Sequence, residues 1–154
     1  FMRFTLLLVA ALFVAPGLRA QREKLSPEDL DYVEEHFPEA KKTMTGIRYI
    51  VLQKGQGEMP KPGNKVSVLY VLKLLRGQLV DRHDSNREDP FIFRVRRDQV
   101  IEGWDQILQV MRVGEKRMVI IPSQLGYGTL GQPPHIPRNA TLLFEIELLE
   151  IFED

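Results

Sequence analysis

After Gly46 the apolar residues mostly recur at every second position, which is the spacing of strands that bury one face of a sheet. Loops rich in glycine and proline, such as 54–63, separate these segments. In the last segment, Phe144, Ile146 and Leu148 alternate with the acidic Glu145 and Glu147. The pattern predicts strands at 46–53, 66–74, 79–81, 91–95, 116–122 and 141–151.

One segment in this strand-rich region has helical spacing instead. Trp104, Ile107, Leu108 and Met111 stand at i, i+3, i+4 and i+7. This spacing predicts a helix over 103–114 that buries one face and ends at a glycine. Five or six strands with one helix do not fit a doubly wound parallel sheet, so we predict an α+β fold in which an antiparallel sheet wraps around a single helix.

A shorter helix is predicted in the lead-in segment, residues 21–45. The sequence SPED at 26–29 has a capping serine, a proline at the first helical position and two acids in the first turn. Apolar residues then recur at helical spacing until Pro38 ends the helix: Leu30, Val33 and Phe37. The single apolar stripe indicates that this helix lies on the domain or on a partner, and a homodimer through the helix is one alternative.

The first twenty residues differ in composition from the rest of the chain. Arg3 is followed by the apolar run FTLLLVAALFV at 4–14, then by a proline, a glycine and finally the small residue Ala20. This order is typical of a secretory signal peptide, residues 1–20. The run is shorter than the roughly 18 residues that a membrane span needs. We expect an exported protein, periplasmic or secreted, without a stable membrane span after processing; an uncleaved anchor is the alternative.

Charge and composition exclude several classes of function. Basic and acidic residues balance at 21 each, which does not favour nucleic acid or an anionic membrane as a partner. Removal of Arg3 and Arg19 with the signal peptide leaves 19 basic and 21 acidic residues, a net charge of −2. The absence of cysteine excludes disulfides and thiol nucleophiles. The three histidines lack the paired spacing of metal ligands, so we expect no metal and no cofactor.

The loop GYGTLG at 126–131 matches the G-x-G-x-x-G pattern of dinucleotide-binding proteins. It follows the apolar run MVII at 118–121, as that pattern requires. The pattern also requires a helix directly after the loop, because the helix N-terminus holds the pyrophosphate. Here the loop continues into QPPHIPRNA at 132–140, whose prolines forbid a helix. We therefore reject nucleotide binding at this loop.

Several segments taken together resemble FKBP-type peptidyl-prolyl cis-trans isomerases. They are YVLKLLRGQLVD (70–81), VIEGWDQIL (100–108), VGEKRMVIIP (113–122), GYG (126–128) and IPRNATLLFEIELL (136–149). The resemblance covers 46–152 in order and spacing, which makes 46–154 the expected isomerase domain. It implies a half-barrel sheet around a short helix, with an apolar pocket between the helix start and the sheet.

The resemblance also implies roles for the residues of that pocket. Trp104 would be the floor beneath a substrate proline ring, and the N–H of Ile101 would donate to a substrate carbonyl. The loop 126–131 would be a flap that presents the hydroxyl of Tyr127 to another carbonyl, its glycines allowing tight turns. The candidate catalytic residues are Tyr70, Asp81, Trp104 and Tyr127, and the candidate substrate-binding residues are Phe91, Val100, Ile101, Ile136 and Phe144.

The implied function is isomerisation of X–Pro bonds in exported proteins as they fold, with proline-containing polypeptides as substrates and macrolides as inhibitors. Leu72, Val80 and His135 stand where the family usually has a glycine, an aromatic and an aliphatic residue. These departures leave a second interpretation open, a catalytically weak peptide-binding or chaperone module with the same fold. The family commonly has a basic partner for the aspartate five residues further on, where this chain has Asn86; because the loop has one extra residue, Arg87 is expected to substitute for it.

Overall fold

The computed structural model describes residues 23–154. The signal peptide predicted at 1–20 and the junction that follows it lie outside these residues. Among the helices that the structure describes, none has the length and the apolar composition needed to cross a membrane.

Two α-helices and seven strands occur between residues 23 and 154. The helices are α1 (Pro27–His36) and α2 (Glu102–Leu108). The strands are β1 (Lys41–Lys42), β2 (Arg48–Gln53), β3 (Lys65–Leu74), β4 (Leu79–His83), β5 (Phe91–Arg94), β6 (Lys116–Ile121) and β7 (Leu142–Phe152). A 3₁₀ turn, Ser123–Leu125, follows β6.

Within the described range all of these strands pair antiparallel in one sheet, in the order β1-β2-β6-β7-β3-β4, with β5 also paired to β3. Strands β4 and β5 share one edge of β3, because β4 pairs with its residues 70–73 and β5 with its residues 65–68. The predicted α+β fold, an antiparallel sheet around one short helix with a lead-in helix before it, is confirmed. The sheet has one more strand than predicted because β1 has only two residues, too few to show alternation.

The concave face of the sheet packs on α2. The four residues of the predicted helical stripe are all buried, as are the three apolar residues predicted to face inward from β7. These side chains join apolar residues of β3 and β6 in one core cluster, which includes Val66, Val68, Val119 and Ile121. Each fully buried aliphatic or aromatic side chain contributes about 1.5–3 kcal/mol to folding, so this contact fixes the position of α2.

The helix around Trp104 is shorter than the predicted 103–114, and this prediction was wrong at its C-terminal end. The N–H of Val113 donates to the carbonyl of Glu58 at 3.0 Å. The N–H of Gly114 donates to the carbonyl of Leu148, in β7, at 2.8 Å. Because these donors bond to other parts of the fold, they cannot bond to carbonyls four residues back, as an α-helix requires.

Helix α1 lies on the opposite, convex face of the sheet. Its predicted cap is present, since the N–H of Asp29 donates to the hydroxyl of Ser26 at 3.2 Å. Val33 is only 2% exposed and belongs to a cluster that also contains Leu25, Leu75, Met118 and Ile120. The apolar stripe of the lead-in helix therefore packs on its own sheet, and a homodimer through this helix stays a prediction.

Candidate active site

An open cavity of about 140 Å³ lies between the start of α2 and the concave face of the sheet. Its lining residues come from β3, β4, β5, β7, the segment 99–101 that precedes α2, α2 itself and the flap: Tyr70, Leu72, Asp81, Phe91, Gln99, Val100, Ile101, Trp104, Tyr127 and Phe144. Eight of the nine residues proposed from the sequence are in this list. The ninth, Ile136, is buried and lines the cavity beside it.

Strand register explains why residues so distant in sequence meet here. In the antiparallel ladder Leu72 of β3 stands directly opposite Asp81 of β4 on one side. On its other side Leu72 stands opposite Phe144 of β7. Residues opposite each other in a ladder point to the same face of the sheet. Because side chains alternate along a strand, Tyr70 also points to that face, the concave one.

Trp104 forms the floor of the pocket. It is 4% exposed, and its ring centroid lies 5.0 Å from that of Tyr70, 5.4 Å from Phe144 and 6.0 Å from Phe91. All three neighbours stand nearly perpendicular to it, at 77°, 73° and 80°, the edge-to-face arrangement that aromatic quadrupoles favour. Its buried indole Nε1 has no hydrogen-bond acceptor within residues 23–154. An added Cβ at Gly103 would lie 2.6 Å from Ile121, so glycine lets this turn of α2 approach β6 closely.

Tyr70 and Asp81 form a hydrogen-bonded pair on the pocket wall. The Tyr70 hydroxyl donates to Oδ2 of Asp81 at 2.7 Å, and the backbone N–H of Arg82 donates to Oδ1 at 2.8 Å. Burial and the hydrogen bond to Asp81 both raise the pKa of Tyr70 well above its usual value. The phenol therefore stays protonated and keeps donating at any physiological pH.

The expected ion pair between Asp81 and Arg87 is absent from the described residues, and that prediction was wrong. Both terminal nitrogens of Arg87 donate instead to the carboxylate of Glu147, each at 2.9 Å. Glu147 pairs in register with Leu69, whose side chain alternates with that of Tyr70 and so faces the convex side. The β4–β5 loop therefore carries Arg87 around the sheet edge and away from the pocket.

The flap, residues 126–131, closes one side of the pocket. Gly128 and Gly131 have positive φ values, 61° and 63°, which confirms that these glycines make tight turns. A Cβ at Gly131 would lie 2.5 Å from the carbonyl oxygen of Ile136, so the backbone here has no room for a side chain. Residues 132–140 form turns rather than a helix, as their prolines predicted.

Besides the indole Nε1 of Trp104, two donors proposed from the sequence for contacts to substrate carbonyls have no partner among residues 23–154. One is the hydroxyl of Tyr127, a half-buried side chain on the flap. The other is the backbone N–H of Ile101, the residue that precedes α2. Burial and the charge of Asp81 raise the pKa of Tyr127, so its hydroxyl also stays protonated. Both donors are free to bond to a bound molecule.

A second cavity, of about 350 Å³, adjoins the first and shares three lining residues with it: Leu72, Asp81 and Tyr127. Its other lining residues are Val80, Gln132, Pro133, His135 and Ile136. All three departures from the family pattern therefore line this second cavity. Gln99, in the first cavity, is not predicted from the sequence because it lies in a turn outside any alternating pattern.

Comparison with known proteins shows to which family the chain belongs. A sequence model described as "FKBP-type peptidyl-prolyl cis-trans isomerase" matches residues 56–149. The chain belongs to this family. The fold described above is thus that of an FKBP domain.

Relatives of this FKBP domain occur in eukaryotes and bacteria. It is 46% identical to "FK506-binding protein 4" of Dictyostelium discoideum over 105 residues, 68% of this chain and 28% of that protein. It is 47% identical to "Peptidyl-prolyl cis-trans isomerase FKBP2" of Homo sapiens over 91 residues, 59% of this chain and 63% of that protein. The chain therefore spans less than two thirds of either relative.

Longer similarities come from bacterial proteins. The "FKBP-type 22 kDa peptidyl-prolyl cis-trans isomerase" of Escherichia coli is 36% identical over 140 residues, 89% of this chain and 66% of that one. The crystal structure of FkpA from Escherichia coli superposes with a TM-score of 0.71 at 36% identity, over 80% of this chain and 57% of that chain. A peptidyl-prolyl cis-trans isomerase structure from Pseudomonas syringae gives the same TM-score at 32% identity. This match covers 90% of this chain and 98% of that chain.

Proposed function

We propose that this chain catalyses cis-trans isomerisation of X–Pro peptide bonds in polypeptides that fold after export. The single observation that carries the proposal is the open pocket of the FKBP domain, floored by Trp104 and walled by Tyr70, Phe91 and Phe144. The signal-like composition of residues 1–20 supports export to the periplasm or the extracellular space.

The chemistry requires a pocket of this kind rather than a nucleophile. Partial double-bond character gives the amide a rotation barrier of about 18–20 kcal/mol. At the twisted midpoint conjugation is lost and the carbonyl oxygen carries less negative charge, so water stabilises the planar form more than the twisted one. An apolar pocket removes that preference, and binding energy realised only in the twisted state accelerates the reaction.

The pocket residues divide this work between them. The indole of Trp104 supports the proline ring, and the aromatic walls exclude water from it. The free N–H of Ile101 and the free hydroxyl of Tyr127 donate to substrate carbonyls on either side of the rotating bond. The Tyr70–Asp81 hydrogen bond holds the remaining wall in place. Val100 and Ile136 provide apolar contacts beside these groups.

An acceleration of 10⁴- to 10⁶-fold requires roughly 5–8 kcal/mol of preferential stabilisation, at about 1.4 kcal/mol per decade. Burial of the proline ring is common to the planar and twisted states, so it contributes to binding and not to this figure. The figure has to come from the loss of the water that favours the planar form and from hydrogen bonds made only in the twisted state, about 1 kcal/mol each. Proline-containing polypeptides and macrolides compete for the same space.

The second cavity favours one alternative function, peptide binding without turnover. Val80 and His135 leave about 350 Å³ open beside the proline site. A substrate held less tightly at this wall loses part of the stabilisation specific to its twisted state. The alternative predicts that proline peptides bind with ordinary affinity but isomerise at the uncatalysed rate.

A proline-limited refolding reaction tests both functions on the chain from residue 21 onward. The wild-type chain should accelerate the slow phase, and Trp104→Leu should abolish the acceleration. Phe152→Leu, which alters an aromatic at the far end of β7, is the matched control and should keep it. Absence of acceleration by wild type, together with peptide binding, would establish the binding module instead.

A further inference from the structure

The N-terminal segment, residues 23–29, contacts both ends of the loop that carries Tyr127. We call residues 126–140 the pocket loop; it begins with the flap and includes Ile136. The 3₁₀ turn Ser123–Leu125 leads into this loop, and Thr141 follows it, directly before β7. No part of the N-terminal segment lines the pocket itself.

The first contact is made before the pocket loop begins. The side-chain amide of Gln124 donates to the backbone carbonyl of Lys24 at 3.1 Å. In the same turn the carbonyl of Ser123 accepts from the N–H groups of Gly126 and Gly128, at 3.0 and 2.8 Å. The position of this turn therefore sets the path of the flap.

The second contact is made where the pocket loop ends. The hydroxyl of Thr141, a residue 6% exposed, donates to Oδ2 of Asp29 at 2.7 Å. The other carboxylate oxygen of Asp29 accepts from Arg76 at 2.7 Å, and the Asp29 side chain is 15% exposed. Between the two ends, the N–H of Asn139 donates to the carbonyl of Gly128 at 2.9 Å. This hydrogen bond links the two arms of the loop.

The N-terminal segment is itself firmly held. Glu23 pairs with Arg48 and Lys42, in each case at 2.9 Å. Leu25 is buried in the cluster on the convex face together with Val33 of α1. The segment is thus anchored at Glu23 and Leu25 and continues directly into α1, which is packed on the sheet through Val33.

We infer that the N-terminal segment positions the pocket loop, with Asp29 and Thr141 as the positioning residues for Tyr127 and Ile136. This inference rests on the proposed function for its effect on catalysis, but the contact has a consequence independent of activity. Exposed ion pairs contribute little on average, so the Arg76 interaction is secondary. A buried hydroxyl bonded to a carboxylate is the stronger constraint, because its loss leaves the acceptor short of a partner.

The test compares Thr141→Val, which replaces the hydroxyl by a methyl group, with Thr141→Ser, which keeps the hydroxyl and removes the methyl group. Amide hydrogen exchange of Gly128, Gly131 and Asn139 reports on the loop directly. In Thr141→Val we expect these amides to exchange about ten-fold faster, the factor typical of losing one hydrogen bond to a charged group. The KM for a proline peptide should rise several-fold with a smaller change in kcat, and Thr141→Ser should return both values towards wild type.

The control is Arg94→Gln, which breaks the exposed pair with Asp154 at the opposite end of the sheet and should change neither quantity. Wild-type exchange in the loop of Thr141→Val would overturn the inference. So would faster exchange spread evenly over β3 and β7, since this would indicate global destabilisation. If wild type has no isomerase activity, the proposed function fails, yet the exchange comparison still decides whether the segment positions the loop.

Discussion

The hydroxyl of Tyr70 donates to the carboxylate of Asp81 at 2.7 Å, between neighbouring strands at the wall of the pocket. Both residues are polar in a site that is otherwise largely aromatic and aliphatic. Their hydrogen bond satisfies the phenol, while the Tyr70 ring stands nearly perpendicular to Trp104 at a centroid distance of 5.0 Å. The pair thus combines an aromatic wall with a polar rim.

Removal of the Tyr70 hydroxyl should weaken catalysis without unfolding the protein. In Tyr70→Phe the ring remains but Asp81 keeps only the N–H of Arg82 as a donor. Loss of a hydrogen bond to a charged group costs about 1.5–3 kcal/mol, and we expect kcat/KM to fall roughly ten-fold. Isomerisation of a chromogenic proline peptide measures this. The double variant Tyr70→Phe, Asp81→Asn should lose no more kcat/KM than either single variant, which would show that the two residues act as a unit. Additive losses of kcat/KM would contradict this.

The pH–rate profile should show no alkaline decline caused by the pocket tyrosines. Burial raises the pKa of Tyr70 and of Tyr127, with the hydrogen bond or charge of Asp81 adding to the shift. Since both are raised, both hydroxyls remain protonated donors as the pH increases to about 10, the usual pKa of tyrosine. The measurement is kcat/KM between pH 6 and 10, with Tyr127→Phe as the comparison. A decline centred below pH 9 that disappears in Tyr127→Phe would show that this assignment is wrong.

The fluorescence of the chain should report on pocket occupancy directly. Trp104 is the single tryptophan of the sequence, and it forms the floor of the pocket. A proline peptide that covers the indole changes the water and the dipoles around it, so the emission should shift or change in intensity and saturate with peptide concentration. The matched peptide with alanine in place of proline is the control and should cause a much smaller change. Equal responses to the two peptides would argue against a proline site above Trp104.

Glu23 should make stability depend on acid pH. Burial raises its pKa, but hydrogen bonds from Arg48, the N–H of Leu25 and Lys42 outweigh this and lower it to about 2. A lowered pKa stabilises the fold at pH values above 4.5, and the contribution is lost as the pH falls towards 2. The side chain is 18% exposed, so we expect Glu23→Gln to cost about 2–3 kcal/mol at pH 7.

Urea unfolding of wild type and Glu23→Gln between pH 3 and 7 measures this difference. The difference in unfolding free energy between wild type and Glu23→Gln should decrease steadily below pH 4.5. Glu153→Gln, at an exposed carboxyl with no ion pair within residues 23–154, should track wild type at every pH. A gap that stays constant down to pH 3 would mean that Glu23 stabilises the fold by packing rather than by charge.

Alanine substitutions at two glycines of the flap should distinguish the cost of backbone strain from the cost of steric contact. Gly128 and Gly131 have nearly equal φ values, 61° and 63°. A Cβ at Gly128 would meet nothing within 4 Å, whereas one at Gly131 would lie 2.5 Å from a carbonyl oxygen. Alanine at either position costs about 1–2 kcal/mol for the left-handed conformation. Thermal unfolding should therefore show a clearly larger loss for Gly131→Ala than for Gly128→Ala, and equal losses would show that the loop relaxes.

The sheet and the identity of most pocket residues follow from local patterns. Alternation in 66–74 places Tyr70 and Leu72 on the same face, and the structure buries that face. The end of α2 did not follow from its pattern, because the apolar stripe continues to Met111 while the amide of Val113 bonds to a distant loop. Arg87 was misplaced for a similar reason: the direction of an exposed loop depends on which carboxylate it meets, here Glu147.

The sequence by itself determined the elements and the faces they bury, because periodicity is a property of consecutive residues and burial of apolar side chains dominates folding. Tertiary structure alone decided the contacts between elements. Examples are the indole N–H of Trp104, which has no acceptor within the described fold, the second cavity beside Val80, and the hydrogen bond between Thr141 and Asp29. Such contacts join residues as many as 112 positions apart. Their distances depend on how the sheet curves and how its strands register, which no local pattern encodes.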